Sequence, residues 1–129
     1  MDFYILYVCA SENDRLQQLD FIILGGGASG LQLAHRLCKS DAYKASSILI
    51  LESDQHKAND RTWCFWETGE GEWDDLLQNQ WSKVQFKSQS IDKTIDLGDT
   101  LYKMLRSKSY YDLLHKNIAQ NKSVQIKYE

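Results

Sequence analysis

Apolar and polar positions change their period several times along this chain. Asp20-Phe21-Ile22-Ile23-Leu24 is a short branched apolar run that stops at Gly25, the pattern of a strand buried in a parallel sheet. Gly25-Gly26-Gly27-Ala28-Ser29-Gly30 follows at once. Leu31, Ala34, Leu37 and Cys38 then recur at helical spacing, with Gln32, His35, Arg36 and Lys39 between them. The spacing predicts a helix of about three turns beginning near Ala28. Ser40 to Ser47 is a mostly polar connection. Ser47-Ile48-Leu49-Ile50-Leu51 is a second buried strand that ends at Glu52. Residues 20–52 therefore read as a βαβ unit of about thirty residues.

Beyond Glu52 the pattern changes. A polar loop runs from Ser53 to Thr62 and leads into Trp63-Cys64-Phe65-Trp66, followed by an acidic stretch through Glu67, Glu70, Glu72, Asp74 and Asp75. Trp81 to Phe86 alternates in part and predicts a strand, with Ile91 to Leu97 as its hairpin partner. Ser109 is expected to open a second helix, since Ser109 and Asp112 have capping-box spacing and Asp112 and Lys116 form an i,i+4 pair. Tyr111, Leu114 and Ile118 share one face of that helix. Val124 to Tyr128 alternates again, as a third strand of the first sheet. The expected fold class is α/β: a Rossmann-like FAD/NAD(P)-binding βαβ unit, interrupted by an aromatic β-excursion, with an incomplete sheet.

Composition narrows the function classes. The chain has 129 residues, 43% of them hydrophobic and 26% charged, the balance of a globular protein. Its net charge of −3 gives no basic footprint for nucleic acid. Residues 52–75 carry eight acids and two bases, and residues 103–127 carry six bases and one acid. Both blocks read as solvated faces. Cys9, Cys38 and Cys64 are widely spaced and form no CxxC pair, so neither a zinc site nor a disulfide framework is expected, and free thiols fit a reducing cytoplasm. His35, His56 and His115 are scattered, and no metal site is expected. Met1 to Ala10 is apolar but holds Asp2, lacks an early Lys or Arg, and is too short to span a bilayer. Residues 1–18 are read as an extension outside the domain that occupies residues 19–129.

The glycine loop carries the clearest chemistry. A pyrophosphate needs close main-chain approach and N–H donors. Gly25 permits the tight turn out of the strand, Gly27 presents no side chain to the phosphates, and Gly30 lets the helix pack on the strand. The helix start at Ala28 and Ser29 aims free N–H groups and a positive dipole end at the anion. Glu52 lies 22 residues past Gly30, at a strand end, where a carboxylate accepts from the ribose hydroxyls of an adenosine and repels a 2′-phosphate. These residues fit NAD and FAD alike. The aromatic strand-rich excursion that follows, where a simple dehydrogenase continues into a helix, is more like a flavoprotein.

Asn59-Asp60-Arg61-Thr62-Trp63-Cys64-Phe65-Trp66-Glu67 offers a guanidinium, large aromatic faces and carboxylates. Its aromatics either line an apolar cavity or pack in the core, and Arg61 either meets a cofactor or forms a surface ion pair. This string, Asp20 to Leu31, Ile48 to Glu52, and Tyr102-Lys103-Met104-Leu105-Arg106-Ser107 with the Tyr110-Tyr111 helix together resemble the amino-terminal part of bacterial-type lycopene β-cyclases. The resemblance covers residues 20–129 and implies an FAD-dependent enzyme of carotenoid synthesis. Such an enzyme closes the ends of lycopene into β-ionone rings, giving γ- and then β-carotene, by acid–base chemistry without net redox. It implies reduced FAD as cofactor, NAD(P)H as its reductant, and a peripheral association with the membrane that holds the substrate. Gly25, Gly27, Gly30 and Glu52 match FAD-binding positions, and Arg61 and Thr62 fall on the flavin side. The resemblance puts the catalytic carboxylate beyond residue 129, so that this chain is expected to be a fragment inactive alone. A related FAD-dependent oxidoreductase or hydroxylase and a stand-alone dinucleotide-binding module are the alternatives.

Overall fold

The structure, a computed structural model, describes residues 18–56 and 59–128. The extension expected at residues 1–18 lies almost wholly outside the described residues. The elements in chain order are β1 (Phe21–Leu24), α1 (Ala28–Lys39), β2 (Ile48–Glu52), β3 (Thr62–Thr68), a 3-10 turn (Asp74–Leu76), β4 (Leu77–Trp81), β5 (Lys83–Lys87), β6 (Asp92–Asp96), β7 (Thr100–Arg106), α2 (Ser107–Ile118) and β8 (Val124–Tyr128). They fall into two compact units, one made of residues through Gln55 and from Leu114 onward, the other of His56–Leu113.

The first unit holds a parallel sheet in the order β1-β2-β8. β2 is the middle strand, with Ile48 opposite Phe21 on one side and Val124 on the other. A middle parallel strand is covered on both faces, which explains why Ile48, Leu49 and Ile50 are consecutive and all buried. β8, at the edge, keeps the alternation that its sequence shows. α1 packs on β1 and buries Leu31 and Ala34. Asp20 and Ser47 clamp the start of the sheet: the Ser47 hydroxyl and N–H both donate to the Asp20 carboxylate, at 2.9 and 2.8 Å. Those bonds, the main-chain one first, hold the Asp20 carboxyl below the usual carboxylate range.

The second unit is antiparallel. β7 is central, flanked by β3 and β4, and β5 and β6 form a separate hairpin. The pairing of Val84 with Ile95 matches the hairpin expected from the sequence. The single strand expected over Trp81 to Phe86 is two strands: β4 ends at Trp81 and β5 begins at Lys83. Trp81 pairs with Tyr102 in one sheet, while Lys83 pairs with Asp96 in the other, so Ser82 is the crossing point.

The second helix begins at Ser107, two residues before the expected Ser109. Ser107 is fully buried, its hydroxyl accepts from the Arg61 N–H at 3.1 Å, and its own N–H donates to the Arg61 carbonyl at 3.0 Å. This exchange satisfies groups at the helix start, leaving Ser109 inside the first turn and exposed. Asp112 pairs with Lys108 at 2.8 Å, one turn before it, and not with Lys116. Tyr111, Leu114 and Ile118 are buried as their shared face predicts.

Candidate functional site

Gly25 leaves β1 with φ +96°, a conformation that side chains oppose. Its N–H donates to the Leu51 carbonyl at 2.8 Å, so the turn stays bonded to β2. Gly27 has extended backbone (φ −77°, ψ −170°) and caps α1 without any side-chain bond. Its carbonyl accepts from Leu31 at 2.9 Å, within the first turn of the helix. The N–H groups of Ala28, Ser29 and Gly30 have no acceptor within the helix. No acidic side chain stands in that turn, so nothing there competes with an anion for the positive end of the helix. A Cβ on Gly30 would collide with the Gly25 carbonyl oxygen and would lie 3.1 Å from an Ile23 methyl. Strand, turn and helix close on one another only because glycine stands there.

Glu52 is buried at the end of β2. Its Oε2 accepts from the Gly26 N–H at 2.6 Å and its Oε1 from the Asp54 N–H at 2.9 Å. The carboxylate therefore ties the glycine loop to the end of β2. The Ser53 hydroxyl also reaches Oε1, at 3.5 Å. The structure thus brings Gly25, Gly30 and Glu52 together as the spacing predicted, with Gly27, Ala28 and Ser29 at the open helix end. An open N-terminus, a glycine-lined turn and an acceptor at the strand end fit the diphosphate and ribose of a dinucleotide. The bond from Gly26 to Glu52 was not foreseen: spacing places the acid at the loop but does not say which donor it meets first.

Arg61 and Thr62 belong to the second unit. The Arg61 side chain is exposed and lies 3.6 Å from the Asp60 carboxylate. Thr62 opens β3, and its hydroxyl accepts from Arg106 at 3.3 Å.

The acidic stretch after β3 departs from the expected solvated face. Lys103, on β7, is fully buried. Its ammonium donates to Glu67 at 2.9 Å, to the Gly69 carbonyl at 2.9 Å and to Asp74 at 2.7 Å. Burial alone would lower its pKa, but the bonds to Asp74 and Glu67 outweigh that and hold it above the ordinary lysine value. The Lys103 bond, with a second from the Gly71 N–H, holds the Asp74 carboxyl below its ordinary value. Three acceptors wrapped around one cation fold the 67–76 segment onto the sheet.

The two faces of this sheet differ. On one, Trp63 meets Tyr110 and Tyr111 at ring-centroid distances of 5.6 and 5.7 Å, and Trp73 meets Tyr110 at 5.0 Å, all close to edge-on, as core aromatics pack. On the other, Trp66, Tyr102 and Trp81 occupy one cross-strand row. Their neighbouring centroids are 4.6 and 5.8 Å apart, and Trp66 remains 55% exposed. The neighbouring Cys64 thiol, and burial after it, push the Tyr102 pKa up.

In the first unit, a crevice of about 590 Å³ is lined by His35, Lys39, Asn117 and Lys122 among others, and by no residue of the glycine loop. It lies where α1 and α2 end, where lysines offset the negative ends of the helix dipoles. Among the described residues no helix is long and apolar enough to cross a membrane.

Residues 20–128 match the family described as lycopene cyclase protein. No curated protein matches the chain. Among solved structures, the chain is similar to Pseudomonas aeruginosa PqsL in complex with 2-aminobenzoylacetate (TM-score 0.64, 12% identity), with 85% of this chain and 33% of that one covered. A structure of pqsL described as a probable FAD-dependent monooxygenase from the same organism gives 0.62 at 12% identity, covering 85% and 32%. The p-nitrophenol 4-monooxygenase PnpA from Pseudomonas putida gives 0.59 at 16% identity, covering 84% and 30%. The chain spans about a third of the length of these structures. At such identities the likeness shows the fold, which is the Rossmann-like α/β class expected from the sequence.

Proposed function

Because the chain belongs to the lycopene cyclase family, we propose that it is the FAD-binding part of a lycopene β-cyclase. The whole enzyme would convert lycopene to γ- and β-carotene by acid–base cyclisation without net redox. The family match over residues 20–128 carries this reading, and the glycine loop with Glu52 at its base supports it.

In this reading the residues of the first unit hold the adenosine diphosphate half of FAD. The N–H groups of Ala28, Ser29 and Gly30 receive the diphosphate, Gly27 leaves room for it, and Glu52 accepts from the ribose while keeping the loop in place through Gly26. Arg61 and Thr62 act on the flavin side. Reduced FAD supplies negative charge that stabilises a cationic transition state, with NAD(P)H as its reductant. The general acid lies outside this chain, and the lipid-dissolved substrate requires the enzyme to work at a membrane surface.

The test is an anaerobic assay of the longer protein with NAD(P)H, FAD and lycopene in detergent micelles, with carotenoids separated by chromatography. The expected outcome is γ- and β-carotene with no stoichiometric consumption of NAD(P)H. Lycopene left untouched, with NAD(P)H oxidised only when O₂ is admitted, would instead favour a monooxygenase and overturn the cyclase reading.

A further inference from the structure

The crevice of the first unit, about 590 Å³, has the size of a small-molecule site. Its walls come from the end of α1, including Lys39, from Asn117 of α2, and from the Gln120–Ser123 turn that enters β8. It is separate from the glycine loop. β1, β2 and β8 are parallel. The glycine loop follows the end of β1, whereas Ser123 stands just before the start of β8. The two places therefore lie at opposite ends of one sheet, and α1 runs from one to the other.

The turn that walls the crevice is tied down from within. Asn121 uses both ends of its amide: Oδ1 accepts from the Ser123 N–H at 2.9 Å, and Nδ2 donates to the Lys44 carbonyl at 3.0 Å. The Ser123 carbonyl accepts from the Ile48 N–H at 2.9 Å, which fixes the turn to the middle strand. By contrast, the side chains of Asn117, Gln120, Lys122 and Ser123 bond to no described residue. No acidic side chain lines the crevice. The carbonyls at the helix ends are already engaged. Those of Arg36 and Leu37 accept from the Ser40 N–H, and those of His115, Asn117 and Ile118 accept from Ala119, Gln120 and Asn121. The ammonium groups are thus in excess of what these carbonyls need.

The chemistry of a ligand follows from this lining. Ammonium groups with no carboxylate in the lining select an anion. Amides that donate and accept, and a hydroxyl that does either, match hydroxyl groups. An apolar ligand would strand all of them without water. We propose that the crevice is a second ligand site, for a small hydroxylated phosphate ester. Its phosphate meets Lys39 and Lys122, and its hydroxyls meet Asn117, Gln120 and Ser123. The turn is ordered before binding, which lowers the cost of ordering it around a ligand. The site is independent of the cyclase reading.

The isotopically labelled 129-residue chain is titrated with glycerol 3-phosphate, and its amide resonances are followed residue by residue. Saturating shifts are expected at Lys39 and from Asn117 to Ser123. Lys122→Gln/Ser123→Ala is expected to weaken binding about tenfold or more, since a charged and a neutral bond to the ligand are lost together. Neither side chain bonds to another described residue, so the fold should persist, and a thermal melt confirms it. Should the double variant melt early, Lys122→Gln alone decides. The hairpin control Lys93→Gln is expected to bind as the unchanged chain does. Inorganic phosphate should bind more weakly than the ester, and glycerol should not saturate.

Shifts confined to residues 25–30 would put the phosphate on the glycine loop and overturn the proposal. So would an unchanged affinity in the double variant, inorganic phosphate bound as tightly as the ester, or no saturation. The longer protein is titrated with glycerol 3-phosphate by calorimetry, and the same weakening by Lys122→Gln/Ser123→Ala is expected there. A longer protein that leaves the ester unbound, while the 129-residue chain binds it, would show that the remaining polypeptide fills the crevice, and the proposal falls. Carotenoid products from the longer protein bear on the cyclase reading alone.

Discussion

The Glu52 carboxylate accepts a hydrogen bond from the Gly26 main-chain N–H at 2.6 Å, across 26 residues of sequence. The acid at the end of β2 therefore supports the glycine loop before any ligand arrives. It acts on cofactor affinity in two ways, through the loop it holds and through the ribose contact proposed for it.

Glu52→Ala leaves the buried Gly26 N–H without its acceptor. The expected loss of folding stability is about 1–3 kcal/mol, the cost of an unsatisfied buried donor, together with weaker FAD binding. Urea unfolding followed by circular dichroism checks the first part. A midpoint unchanged from that of the original chain would mean that the bond does not support the loop.

The glycines of the loop should separate by substitution. Gly30→Ala puts a methyl group into the Gly25 carbonyl and should cost about 1–3 kcal/mol of stability, as overpacking does. Gly27 has ordinary extended backbone, so Gly27→Val should leave the fold intact while its side chain stands where the diphosphate approaches. Isothermal titration with FAD, alongside thermal melts, distinguishes the two. A Gly27→Val chain that keeps full FAD affinity would refute the loop assignment.

At the start of α2, Ser107→Ala removes a hydroxyl that accepts from the Arg61 N–H and donates to Asp60 at 3.2 Å. A cost of about 1–2 kcal/mol is expected, since the Arg61 N–H loses its acceptor and the bond to Asp60 is lost. Ser109→Ala should fall within about 0.5 kcal/mol of the original, as surface changes do. Equal effects of the two, measured by urea midpoints, would show that the Ser107 bonds to Arg61 and Asp60 do not support the start of α2.

The cluster around Lys103 should give the second unit a pH window. The folded-state pKa of Asp74 lies below its ordinary value of 3.8, so its stabilisation is present above that value and is lost as pH falls through the folded pKa. Lys103 is shifted up from 10.5, so its stabilisation is complete below that value and is lost as pH rises through the folded pKa. Asp74→Asn should lower the melting temperature at pH 7 and flatten its fall on acidification, with the two curves converging at the acid end. Asp20 and Asp92, also shifted down, keep a residual slope. Parallel curves for the two proteins from pH 7 to pH 2.5 would show that Asp74 carries no such linkage.

The sequence by itself determined the βαβ unit, the glycine loop and the acid at its base. Those features depend on local period, on glycine's freedom at Gly25, and on a short span that returns the chain beside itself. The alternation of Val124, Ile126 and Tyr128 likewise identified β8. Tertiary structure decided what depends on distant partners. Lys103 is buried because Glu67 and Asp74, 36 and 29 residues before it, converge on its ammonium, and nothing local distinguishes it from a solvated lysine. α2 starts at Ser107 because the Arg61 backbone reaches it across 46 residues. Trp63 and Trp66 are equally apolar and lie three residues apart, yet a strand's twofold period places them on opposite faces. Only the pairing with β7, and the tyrosines of α2 on one side, decide which of them is half-buried and which faces out.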